Sequence, residues 1–126
     1  MKINLKPLSV NKAWQGRRFK TQEYQKYEKL VKSLIPQLAL KPDKHYFFRL
    51  IAYQSSSLCD WDNPIKPFQD ALVKACNTGF DDRQIYDACV SKRKCQKGEE
   101  GVEFYFLQDY EIHDLPSGLV IKGTPA

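Results

Sequence analysis

Two carboxylates, an amide and a lysine fall within seven residues in Asp60-Trp61-Asp62-Asn63-Pro64-Ile65-Lys66. A second acidic pair, Asp81-Asp82, follows. If Asp60, Asp62 and Asp82 converge, they make a hard-oxygen site suited to Mg2+ or Mn2+. Such an ion polarises a phosphoryl oxygen and lowers the pKa of a bound water. Lys66 then supplies a point charge where negative charge develops on phosphoryl oxygens. Asp70 lies four residues beyond Lys66. It either orients the lysine or forms a surface pair worth a few tenths of a kcal/mol, and the second reading is the simpler one. A calcium hand is excluded, because the loop from Asp60 lacks the required glycine and distal glutamate. An aspartyl-nucleophile phosphatase is disfavoured, because Ser55-Ser56-Ser57-Leu58-Cys59 precedes the acids where a hydrophobic strand should stand.

These residues need a helix to position them. Asn63 is a good N-cap and Pro64 suits the first helical position. Ile65, Phe68, Leu72 and Ala75 then form one apolar stripe. The helix is expected from Pro64 to about Asn77, with Gly79 as its stop. Asp60 and Asp62 lie just before it and Lys66 in its first turn, where the positive end of the helix dipole favours carboxylates. Asp81 and Asp82 emerge from the far end of a helix about 20 Å long. Spacing alone does not bring them back to Asp60 and Asp62.

The rest of the chain reads as one α+β (mixed α/β) domain over residues 1–126, in the order β-α-β-α-β-β, with a mixed sheet backed by helices. Residues 2–6 alternate as a short strand that ends at Pro7. Ser9 to Arg18 is a basic loop with Trp14 as an aromatic anchor. Thr21 caps a helix whose apolar positions are Tyr24, Tyr27, Val31, Leu34 and Leu38, and Pro36 ends it near Leu34. Lys41 to Lys44 is a turn, and 45–53 is a strand rich in aromatic and aliphatic residues. Gln84 to Lys94 is a second long strand, with Tyr86, Ala88 and Val90 on one face. It forms a hairpin, across the charged turn 96–101, with a third strand at 102–107. A short strand at 118–121 and fraying last residues complete the chain.

Composition narrows the function. Hydrophobic content of 42% and charged content of 28% suit an ordinary globular chain. No run is long enough for a bilayer span and no apolar signal core follows Met1, so no membrane association and a cytoplasmic location are expected. The cysteines at 59, 76, 89 and 95 contain no C-x-x-C, and His45 and His113 stand alone, so a zinc knuckle is not expected. Residues 1–50 carry twelve Lys/Arg against three Asp/Glu, and residues 51–126 carry eight against twelve. A basic half beside an acidic centre suits a protein that attracts phosphates and holds a cation among them. Arg17 and Arg18, with Lys12 and Lys20 in the same basic segment, are the candidate DNA contacts.

Three segments together resemble the RusA-type Holliday junction resolvases. They are Asp60-Trp61-Asp62-Asn63-Pro64-Ile65-Lys66, Asp70-Ala71-Leu72, and Asp81-Asp82-Arg83-Gln84-Ile85. The early Ser9-Val10-Asn11, the basic segment through Lys20 and the helix from Tyr24 to Leu34 fit the same pattern, so the resemblance spans roughly residues 3 to 110. It implies a homodimer that binds four-way DNA junctions and cuts two strands symmetrically with a divalent cation, in DNA recombination and repair. It implies Asp60, Asp62 and Asp82 as catalytic metal carboxylates and Lys66 as the essential lysine. Asp81 is the alternative third ligand, because the segment Cys76–Phe80 is one residue longer than the family's pattern. The aromatic residues of 45–53 and 102–107 are expected to seek cover in the dimer. Two other classes stay open: a DNA-binding protein of the same fold without cleavage, and an interaction module whose acids only cap a helix.

Overall fold

The run Tyr46–Gln54 is apolar along nearly its whole length, and it becomes the centre of the sheet. The computed structural model describes residues 2–15, 19–35, 38–58 and 60–126. The elements are β1 (Lys2–Ile3), α1 (Val10–Ala13), β2 (Trp14–Gln15), β3 (Phe19–Lys20), α2 (Gln22–Leu34), β4 (Tyr46–Gln54) and α3 (Ile65–Cys76). A single 3-10 turn (Asp82–Gln84), β5 (Ile85–Lys94), β6 (Gly101–Leu115) and β7 (Gly118–Pro125) follow. The expected α+β class with a mixed sheet and helices is what forms.

The main sheet runs β1-β6-β4-β5, with β7 paired to β6. β4 and β5 are parallel, and β4 and β6 are antiparallel. This corrects the expected hairpin between 84–94 and 102–107. A strand buried almost throughout needs partners on both edges, and β5 and β6 take one each. The connector 95–100 therefore passes over the end of β4, where Cys95 N donates to Gln54 O at 3.0 Å and Ser55 Oγ donates to Glu100 Oε1 at 2.8 Å. β7 is also longer than expected. It pairs with β6 as far as Pro125, and Ala126 N donates to Phe106 O at 3.1 Å. β1 is shorter than expected, at two residues, and Gly101 lies under it. A Cβ at Gly101 would stand 2.7 Å from the Ile3 carbonyl oxygen, so only glycine permits this approach.

Tyr46, Phe48, Leu50, Val102, Phe104 and Phe106 line the core together with Tyr24, Tyr27 and Val31 of α2 and Phe68, Ala71, Leu72 and Cys76 of α3. Most of the aromatic side chains expected to face a partner chain are buried internally, as in the stacked Phe48 and Phe106 rings 4.7 Å apart, while Tyr105 stays exposed and Tyr53 half-buried. α2 forms as expected, with Thr21 accepting from Tyr24 N and Ile35 extended as suits a residue before proline. Residues 10–15, expected as loop, instead form α1 and β2, and β2 pairs with β3 at 19–20. The expected features at Arg17, Arg18, Pro36 and Cys59 lie outside the described residues. No described helix is long and apolar enough to cross a membrane.

Candidate functional site

The helix that carries Lys66 begins one residue later than expected. Pro64 is the capping residue and makes no side-chain cap hydrogen bond. Ile65 N donates to Asp62 O at 3.1 Å, so the Asp62 backbone closes the entry turn. Asn63 is not the cap. Its side-chain amide is turned back, with Nδ2 at 3.4 Å from Asp60 Oδ2, a long hydrogen bond. Asn77, in the left-handed region at φ 51°, ends the helix, and Gly79 follows at φ 84°.

Beyond the helix the chain brings Asp82 to Lys66. Lys66 Nζ donates to Asp82 Oδ2 at 3.0 Å and to Asp70 Oδ1 at 2.9 Å. Asp70 Oδ2 in turn accepts from the Tyr24 hydroxyl at 3.3 Å, long for an O–H···O hydrogen bond. The two carboxylates raise the Lys66 pKa, Asp70 first and then Asp82. Hydrogen bonding with the Asp81 side chain, and then the Lys66 ammonium, holds the Asp82 carboxyl below the usual carboxylate range. Burial, and then the negative Asp70, pushes the Tyr24 phenol up, so it remains a donor. The cluster is a cation between two anions with a neutral hydroxyl behind it.

The acidic doublet divides its labour. Asp81 caps the 3-10 turn in a reciprocal capping box with Gln84, leaving Asp82 to face Lys66. Gln84 is buried and anchors the turn: Nε2 donates to Lys41 O at 2.8 Å and to Lys44 O at 2.9 Å, and Oε1 accepts from Asp81 N at 2.8 Å.

The acids before the helix are placed differently. Asp60 and Asp62 are exposed on the loop between β4 and α3. Among the described residues no hydrogen bond or ion pair involves the Asp62 side chain, and no group of three or more His, Cys, Asp or Glu side chains is placed to hold a metal ion. The structure therefore joins Asp82 to Lys66 but does not gather Asp60, Asp62 and Asp82. Between the two acids stands Trp61, 58% exposed, with Leu58 at 91% exposed nearby in the chain. Of the expected DNA contacts, Lys12 is exposed, whereas Lys20 is ion-paired to Glu28 at 3.0 Å and lies over the Tyr24 ring at 4.9 Å. Glu28 also holds Lys74 at 2.9 Å.

Sequence reasoning undervalues one member of the cluster, Asp70, and misses another, Tyr24. Asp70 reads as half of an ordinary surface pair, and Tyr24 reads as core. Nothing local links them, because they stand 46 positions apart. An open cavity of about 900 Å3 is lined by Lys2, Asn4, Tyr53, Lys94, Cys95, Gln96, Gly98 and Glu99, and shares no residue with the cluster. Lys66 lies on open surface instead. Compared with known proteins, the chain matches no family model and no curated protein.

Proposed function

We propose that the chain is a divalent-cation-dependent, structure-selective endonuclease of the RusA type, which binds four-way DNA junctions as a homodimer and hydrolyses one phosphodiester in each of two strands. The observation that carries this reading is the 3.0 Å contact between Lys66 and Asp82, which puts the distal acid at the first turn of α3, next in the chain to Asp60 and Asp62. The donor chemistry fits a hard cation: all three are carboxylates, Asp60 and Asp62 are exposed, and Asp82 is kept ionised. Bound to Asp60, Asp62 and Asp82, Mg2+ or Mn2+ would polarise a phosphoryl oxygen and lower the pKa of its water. Lys66 balances charge that grows on the phosphoryl oxygens, and Asp70 keeps it protonated for that task. The basic first half, Lys12 included, attracts the DNA backbone.

The scattered placement of Asp60 and Asp62 favours a second reading, a DNA-binding protein of the same fold without cleavage. One experiment separates the two. A synthetic four-way junction and a matched linear duplex are incubated with the protein, with and without Mg2+. Symmetric, Mg2+-dependent nicking of the junction alone supports the nuclease. Tight junction binding without nicking supports the second reading. A thermal upshift in Mg2+ accompanies the first outcome only.

A further inference from the structure

Asp70 divides its two carboxylate oxygens between unlike partners. Oδ1 holds the Lys66 ammonium, whose side chain is 57% exposed. Oδ2 accepts from Tyr24, whose side chain is fully buried in the core on α2. An exposed lysine–aspartate pair four residues apart exchanges rotamers freely and contributes little to stability. This pair differs because its acid is tied to a fixed hydroxyl on another helix. A carboxylate held at one oxygen loses rotational freedom at the other. The ammonium has three donor hydrogens, and Asp70 and Asp82 take two of them. The third is left for an acceptor from solvent.

We propose that Tyr24 and Asp70 are positioning residues that fix the Lys66 ammonium with one donor hydrogen free for a DNA phosphate. This rests on the nuclease reading of the same site. Tyr24 acts from α2 through Asp70 and does not touch the substrate. The neighbouring bridge between α2 and α3, Glu28 to Lys74 at 2.9 Å, joins the same helices without reaching Lys66, although Glu28 also holds Lys20 at 3.0 Å. It is therefore the internal control for simple loosening of the helix pair.

The test compares the wild-type dimer with Tyr24→Phe, Asp70→Asn and Glu28→Gln. The first readout is the order parameter of the Lys66 ammonium by 15N relaxation, which needs no activity. The second is the single-turnover rate on a saturating four-way junction in Mg2+, beside junction affinity in EDTA. Tyr24→Phe keeps the ring and removes only the hydroxyl. It should make Lys66 more mobile and slow cleavage about tenfold with unchanged affinity, the effect of one lost hydrogen bond. Asp70→Asn should do more in the same direction, and Glu28→Gln should leave Lys66 as ordered as in the wild type. An unchanged Lys66 in Tyr24→Phe overturns the proposal. So does equal loosening in Glu28→Gln, or a mobile Lys66 with an unchanged rate. If the wild type cuts no junction, the nuclease reading fails by itself, and the order parameters still decide whether Tyr24 and Asp70 fix the lysine.

Discussion

Replacing Gln84 with Ala should destabilise the protein by about 3 kcal/mol. Its side chain makes three hydrogen bonds, to Lys41 O, Lys44 O and Asp81 N, and each such bond contributes about 1 kcal/mol net. For a chain of 126 residues, with an unfolding entropy of about 2.1 cal/mol/K per residue, that loss lowers the melting temperature by about 11 °C. Urea titration should show a lower midpoint with an unchanged slope, because the exposed surface on unfolding is the same. Gln84→Glu sharpens the reasoning. It keeps the size and the bond to Asp81 N, but sets a carboxylate against two carbonyl oxygens that need donors. Its carboxyl pKa should be raised in the folded state, so the variant should gain stability as the pH falls through that raised value. A loss below about 1 kcal/mol in Gln84→Ala, or a Glu variant as stable as the parent at pH 7, refutes the assigned hydrogen-bond pattern.

Lys66→Ala should slow junction cleavage by at least about 100-fold while weakening metal-free binding severalfold at most, measured by single-turnover kinetics and gel shift; equal losses would make Lys66 a plain phosphate contact. Asp62→Asn should abolish Mg2+-dependent cleavage yet hold or tighten binding in EDTA, because it removes a ligand charge that also repels phosphates; near-normal cleavage would show that Asp62 is not a ligand. The lowered pKa of Asp82 adds stability that is present above its unfolded value of about 4 and is lost as pH falls through the lower folded value. Lys66→Met should therefore flatten the loss of stability as the pH falls below about 4, and the difference should shrink in high salt; identical acid limbs would remove the pair from the stability of the fold.

The two long helices, α2 and α3, were legible because their signals are local. Thr21 and the spacing of Tyr24, Tyr27 and Val31 define α2 without reference to the rest of the chain. The strands were legible as strands, but their partners were not. The charged turn with Gly98 between β5 and β6 carries every mark of a hairpin, yet β4 lies between them. The missed signal was the nearly unbroken apolar run Tyr46–Ala52, which suits a central strand better than an edge. At the candidate site, the motif spacing singled out Lys66 and Asp82 but not their contact. That contact is made by the return of the chain after α3 and by the Gln84 anchor, which no periodicity encodes. Asp70 was undervalued for the same reason, since its second partner belongs to another helix.

β1 has consequences for how the protein is made. Lys2 pairs with Glu103 and Ile3 with Val102, so these residues wait for partners about a hundred positions later. β4 likewise waits for both β5 and β6. Loop closure over such distances is slow, and the sheet cannot close until β6 has been made. Until then the apolar run of β4 is a nascent edge available to other chains. α2 and α3, built from near neighbours, are the long elements that can form early, and the lysine-rich outer surface of α2 would keep the unfinished chain in solution while the sheet is pending.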